Sequence, residues 1–315
     1  MTIQDSNIRI ISLLPSATEI IAALGYTHTL VGRSHECNYP HSILSIPTCT
    51  SSQINSNASS IDIDRSVKEL LSSALSIFNI DQNKLHDLQP SHIITQDQCK
   101  VCAISLEQLE SELGQLLKNQ VKIISLNPKR LGDVWSNIRQ IGNALGDMAS
   151  VEAESYTRKI TRRIVEIAMT AGSLNSKGIR VAVIEWINPV IISGNWVPEI
   201  INIAGGQNII TSPGQRSKPV SIKQICSADP DIIVFSPCGF TLSRSVKEAL
   251  EVLKSPLWQT LRAVKNRNCF AIDGIKHFNR PGPRLIESIE VLAEIISPKL
   301  FSFSHHKNTW NHLIT

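Results

Sequence analysis

Hydrophobic positions along this chain follow two alternating periods. Short runs of apolar and β-branched residues predict buried strands at Arg9–Leu14, His92–Thr95, Val121–Leu126, Arg180–Ile184, Ile232–Phe235 and Cys269–Ile272. Between them, apolar residues recur every three to four positions. Thr18 to Leu24 is the first such helical segment, stopped by Gly25. A chain that alternates strand and helix from end to end predicts α/β lobes with parallel sheets.

The longest helical pattern runs from Asp147 to Ala171 with neither Gly nor Pro inside it. Val151, Tyr156, Ile160, Ile164, Ile167 and Ala168 keep the helical spacing, and Arg158, Lys159, Arg162 and Arg163 read as a solvated face. A helix of about 25 residues is ~37 Å long, enough to join two lobes as one strut. The expected organisation is an N-terminal α/β lobe over 1–146, a linking helix over 147–172, a C-terminal α/β lobe over 173–300 and a ragged tail over 301–315. The Ser- and Asn-rich stretch from Thr50 to Ser60 reads as a surface loop. His305, His306 and His312 read as solvent residues of the tail.

An internal repeat supports two related lobes. Glu19-Ile-Ile before Gly25 recurs as Glu199-Ile-Ile before Gly205. Pro90-Ser-His-Ile-Ile, leading to Cys99, recurs as Pro230-Asp-Ile-Ile-Val, leading to Cys238. The strand that opens at Lys122 has a counterpart at Phe270. The three pairs fall in the same order, roughly 140–180 residues apart.

Composition narrows the function. The 315 residues, 42% hydrophobic and 18% charged, suffice for two cores of about 100–150 residues each. A net charge of +4 from 31 basic and 27 acidic residues gives no polybasic surface, so no nucleic-acid partner is expected. No apolar run approaches the ~20 residues that span a bilayer, so no membrane insertion is expected either. Met1 to Ile8 has neither a basic n-region nor an apolar h-region, which makes cytoplasmic location the expectation. The seven cysteines, an odd number, read as free thiols; Cys49, Cys226 and Cys269 lie in core or loop patterns.

The segments Arg9–Gly25 and Leu30–Pro40 resemble the cobalamin-binding branch of the class III solute-binding proteins. So do Ile192–Glu199, Ala204–Ile209 and Phe278–Arg284. The resemblance covers about residues 9 to 298. His35-Glu36-Cys37 and Gln98–Cys102 look like features of a subgroup without an export signal that is labelled cobalamin-binding by similarity. The resemblance implies two Rossmann-like lobes on one backbone helix and a cleft that takes a ferric siderophore, haem or cobalamin. It also implies, as a further reading, the substrate-binding component of an ABC importer.

In open α/β sheets, ligands bind beyond the carboxyl ends of the strands. The chemically capable residues cluster on those predicted loops. From the first lobe they are Ser16, Thr18, His35, Glu36 and Asp97; from the second, Glu185, Trp186, Trp196, Asn279 and Arg280. His35 suits an axial bond to a corrinoid cobalt or a transition metal; alternatively it caps its loop while Glu36 pairs with Arg33. Glu185 ends an apolar strand, where a carboxylate is costly without a partner. Trp186 and Trp196 either wall a flat ring or plug the top of the lobe. Arg280 suits a ligand carboxylate, phosphate or amide, or else a salt bridge to the linking helix.

Cys99 and Cys102 have the spacing of half a zinc site or a redox pair, and Cys37 and Cys238 are predicted on neighbouring loops. Three readings therefore stand. One is a binding protein for a corrinoid or other small-molecule metal chelate. The second is a thiolate-rich zinc or iron protein or metal-dependent enzyme using these four cysteines with His35 or Glu36. The third is the ABC importer component. No GxxxxGK[ST], GxSxG or HExxH motif is present, so no catalytic residue is assigned.

Overall fold

A computed structural model describes residues 8–73, 76–97, 104, 106–113, 121–172, 178–305 and 308–313. The described residues group into two compact units. One comprises residues 1–128 and 133–157, the other 129–132 and 158–315.

In the first unit the strands are β1 (Ile10–Ser12), β2 (Leu30–Arg33), β3 (Thr50–Ser52), β4 (Phe78–Ile80), β5 (His92–Gln96) and β6 (Lys122–Leu126). The helices are α1 (Pro15–Ala23), α2 (Ser60–Ser72), α3 (Gln82–Leu88), α4 (Leu106–Leu113) and α5 (Leu131–Leu145). Four strands form a sheet in the order β2-β1-β5-β6, all parallel. Ile10, Ile11, Ile93 and Ile94 lie fully buried along its two central strands. Such runs are apolar on both faces because a parallel sheet is covered on both sides. Each isoleucine so buried contributes about 1.5–3 kcal/mol.

The expected surface loop at Thr50–Ser60 is corrected here. Its first residues form β3, which pairs antiparallel with β4. Ser60 opens α2, with the Ser59 hydroxyl accepting the Asp62 amide. Serine-rich composition reads as loop until a partner strand and a cap give those hydroxyls and amides a use.

Helix α6 (Asp147–Gly172) is continuous over 26 residues, as its spacing predicts. The boundary between the two units falls inside it, after Thr157. Its first half packs on α5 through Ala149 and Ala153 against Gly142, and Arg139 pairs with Glu154 at 2.7 Å. No helix among the described residues is long and apolar enough to cross a membrane.

The second unit contains β7 (Ile179–Trp186), β8 (Ile191–Ile192), β9 (Gly206–Asn208), β10 (Lys218–Pro219), β11 (Ile232–Phe235), β12 (Cys269–Ile272) and β13 (Trp310–Leu313). Its helices are α7 (Val197–Ile203), α8 (Ile222–Ala228), α9 (Leu242–Leu253), α10 (Pro256–Gln259), α11 (Arg262–Lys265) and α12 (Leu285–Ile296). Strands β9, β7, β11 and β12 run parallel in that spatial order. Strands β8, β10 and β13 join antiparallel, so this sheet is mixed, where the sequence pattern predicts a purely parallel one.

The repeat seen in the sequence has a topological counterpart. The order β2-β1-β5-β6 in one unit matches β9-β7-β11-β12 in the other. The repeated glutamates fall in α1 and α7, the Pro90 and Pro230 segments lead into β5 and β11, and the third pair falls on β6 and β12.

The expected ragged tail is also corrected. Residues 310–313 form β13, paired antiparallel along the whole of β12. His305 contacts Glu290 at 3.1 Å and His312 stacks on Phe270, so both are structural; His306 lies outside the described residues. The pairing is non-local and leaves little trace in a polar terminal segment.

Candidate functional site

Strand order locates the functional end of each unit. The chain leaves β1 toward β2 on one side and β5 on the other, so the switch point lies at the loops after β1 and β5. In the second unit the corresponding loops follow β7 and β11.

In the first unit, the loop after β2 is tied to the end of β1. The Ser34 amide donates to the Ser12 carbonyl at 2.8 Å. The Thr18 hydroxyl, fully buried in α1, lies 2.9 Å from Ser12 Oγ and 3.1 Å from Cys37 Sγ. Cys37 is 1% exposed. Thr18 and Cys37 thus hold the two loops together, and Ser16 beside them in α1 is buried as well. Arg33 organises the rest of this loop. Its guanidinium donates to the carbonyls of Ser34, Cys37, Leu44 and Ile46, a use of its planar fork that the sequence did not suggest.

His35 stands over that scaffold. Its Nδ1 meets Thr50 Oγ1 at 2.7 Å, its ring tilts on Phe78, and Glu36 Oε1 lies 3.6 Å from its Nε2. Burial holds the imidazole below its ordinary range; the Glu36 carboxylate opposes that and Arg33 assists it. With Nδ1 anchored on Thr50, Nε2 is turned inward, buried 3.6 Å from Glu36 Oε1 and without a hydrogen-bond partner. Asp97, at the end of β5, is exposed, and its amide donates to the Leu126 carbonyl at 3.1 Å. Cys99 and Cys102 lie outside the described residues.

The strand-end loops of the second unit are knitted together more tightly. The Ser236 amide donates to the Ile184 carbonyl, and the Cys238 amide to that of Glu185. Asn279 donates its side-chain amide to the carbonyls of Ser236 and Gly274, fastening the loop after β12 to the end of β11. A Cβ on Gly274 would collide with the Pro237 carbonyl, so only glycine permits this approach. A second strap crosses at Gly194, whose missing side chain admits the Gln215 carbonyl.

Glu185 sits beneath that strap, half-buried, accepting the Ser217 hydroxyl at 2.6 Å. Burial pushes its carboxyl above the ordinary range, with the Ser217 hydrogen bond acting against the rise. The Trp186 ring tilts on Phe240 at 5.2 Å and its indole donates to Asn188. Arg280 is half-buried on the loop after β12, and Cys238 is exposed.

Trp196 requires a correction. It is 5% exposed, with its indole N–H donated to the Phe278 carbonyl at 2.7 Å. A buried tryptophan needs a partner for that N–H, and finding it inside the unit makes Trp196 a plug rather than a wall. Among the described residues, no three His, Cys, Asp or Glu side chains gather as a metal-binding group. Sequence reasoning missed Thr50, Ser217 and Phe240, which hold His35, Glu185 and Trp186. Nothing local marks them, since each acts on a residue at least 15 positions away.

Comparison with known proteins agrees with this architecture. The chain is 22% identical over 307 residues to the uncharacterized ABC transporter substrate-binding lipoprotein YvrC of Bacillus subtilis, covering 96% of this chain and 83% of that one. It is 25% identical over 290 residues to a vitamin B12-binding protein of Vibrio vulnificus, covering 91% and 89%. Among solved structures, a periplasmic heme binding protein from Pseudomonas aeruginosa matches with a TM-score of 0.70 at 18% identity, covering 93% of each chain. The periplasmic vitamin B12 binding protein of Vibrio cholerae matches with a TM-score of 0.63 at 23% identity, covering 91% and 96%. Residues 10–275 match the family described as periplasmic binding protein, and the chain belongs to that family.

Proposed function

We propose that this solute-binding protein takes a flat, metal-bearing macrocycle, a corrinoid or a haem, and passes it to an ABC importer. The observation that carries the reading is His35. A half-buried imidazole, held neutral and anchored at Nδ1 by Thr50, stands on a strand-end loop of a family member whose relatives include vitamin B12-binding proteins; its Nε2 is buried beside Glu36, so a bond to a metal requires the Glu36 side chain to swing aside. Within the second unit, Trp186 at the end of β7 and Arg280 on the loop after β12 are groups of the kinds that stack on flat rings and bind amides or carboxylates. Corrinoid is preferred over haem because the B12-binding relatives share more sequence with this chain than the heme-binding structure does.

The test is an absorption titration of reduced, metal-analysed protein with aquocobalamin and, separately, with hemin. A saturable shift of the corrin bands, lost in His35→Ala, is the expected result. A shift with hemin alone replaces the corrinoid by haem. No shift with either, together with stoichiometric zinc or iron removable by chelator, transfers the function to a thiolate site using Cys37, Cys99, Cys102 and Cys238.

A further inference from the structure

The most exposed large apolar side chains among the described residues are Met148, Val151, Val165 and Met169, at 63%, 61%, 49% and 72%. All of them belong to α6, and at about 100° per residue they fall on one side of it. Arg158 and Arg162, both exposed, occupy the same side between them. Together these positions span ~31 Å of helix. They face away from the side on which Ala153, Ile160 and Ile167 are buried.

Single exposed apolar residues scattered over a surface need no explanation, but a row of them on one helix face marks a contact site. The charge of this row is positive. Arg158 and Arg162 lie within it, and Lys159 and Arg163 on its flank. Of the neighbouring carboxylates, Glu154 pairs with Arg139 and Glu166 with Arg163, and Asp147 stands at the first residue of the helix. The modest net charge of +4 over the whole chain conceals this local excess.

We propose that this face of α6 rests on an anionic phospholipid surface, peripherally and without insertion. Guanidinium forks match phosphate oxygens, and the methionines and valines at the two ends meet the apolar boundary beneath the headgroups. A partner helix would need a continuous apolar seam, which Ser155, Arg158 and Arg162 interrupt in its middle. A second copy of the chain fits worse, because a symmetric pairing that joins the apolar ends sets arginine against arginine at the centre. A flat anionic surface asks for neither register nor an unbroken seam. The face lies on α6 and not on the strand-end loops, so the proposal does not rest on the cargo assigned above.

Flotation of the full-length protein with vesicles of phosphatidylcholine and phosphatidylglycerol in equal amounts, and with phosphatidylcholine alone, tests it. The wild type should float with the mixed vesicles at about 50 mM NaCl, stay behind with the neutral ones, and be released at about 500 mM. Each cation near such a surface is worth about five-fold in partitioning, so Arg158→Gln with Arg162→Gln should weaken binding at least ten-fold. Val165→Ser with Met169→Ser should weaken it about five-fold. Lys254→Gln with Lys265→Gln removes the same charge from other exposed positions of the second unit and should change it less than about two-fold. No flotation of the wild type with the mixed vesicles overturns the proposal. So does an equal loss in the Lys254 and Lys265 pair, which would reduce the binding to net charge. A lipid-free dimer in sedimentation velocity that Val165→Ser with Met169→Ser dissolves would also overturn it, in favour of a second copy.

Discussion

The Ser217 hydroxyl donates to the Glu185 carboxylate at 2.6 Å and so fastens a surface strap to the end of β7. The same hydroxyl accepts the Gly194 amide at 3.0 Å, so one side chain joins three segments. Burial raises Glu185, which means that ionising it costs more in the folded protein than in the unfolded chain. Its contribution to stability is therefore most favourable below the ordinary carboxylate pKa and declines as pH rises through the folded value. Ser217→Ala removes a hydrogen bond that favours the ionised carboxylate and should cost about 0.5–3 kcal/mol. The loss should be smaller at pH 4 than at pH 9, because the raised carboxyl keeps its proton toward the acid end. Urea unfolding at the two pH values checks this; equal losses would remove the charge-assisted role of Ser217.

Two histidines of the second unit should give the stability profile opposite slopes. His277 is 1% exposed, and burial pushes it down to about 3, with Arg284, His305 and Lys276 adding to the effect. It stays neutral in the native state while the unfolded chain takes up a proton, so stability should fall as pH drops from about 6.5 toward 3. His305 is raised by its hydrogen bond to Glu290. Its contribution is fully present below the unfolded pKa and lost as pH rises through the folded one. His305→Asn should flatten the limb above pH 6.5, and His277→Gln the limb below it. Melting temperatures across pH 3–9 separate the two effects.

Arg33 should not be replaceable by lysine. Four carbonyls converge on its guanidinium, and a single ammonium cannot serve that geometry. Arg33→Lys is expected to destabilise by about 1–3 kcal/mol. It should also raise amide exchange across residues 34–46, because the carbonyls set that loop. Hydrogen exchange at wild-type rates over this loop would contradict the assignment.

Thiol reactivity should follow burial. The Cys49 thiol is pushed up to about 11 and the Cys269 thiol to about 12, in both cases chiefly by desolvation. Cys238 is exposed on the loop after β11. Peptide mapping after brief iodoacetamide treatment at pH 7.5 should find Cys238 modified and Cys49 and Cys269 intact. Rapid labelling of Cys269 in native protein would show that β12 opens readily.

The strands and the long helix were legible because each is written in local periodicity. Ile232–Phe235 and Cys269–Ile272 coincide residue for residue with β11 and β12, and α6 runs over its predicted span. The repeat was legible for the same reason, since equivalent strands and helices recur in equivalent order. The rule that ligands bind beyond the carboxyl ends of parallel strands led to the loop after β2, which carries His35, and to the end of β7, where Glu185 and Trp186 lie within the strand rather than on the expected loop.

What the tertiary structure alone decided is which of those side chains are available. Trp196 and Trp186 look alike in sequence, yet one is buried with its indole spent on Phe278 and the other remains half-buried beside Phe240. The polar tail became β13 only because the edge of β12 offered unpaired backbone groups. Glu294 finds the Phe303 amide and the Trp310 indole only because that tail folds back over it. Periodicity is a property of neighbours along the chain and survives in the sequence. Burial and partnership depend on residues tens to more than a hundred positions away, which the chain must fold to bring together.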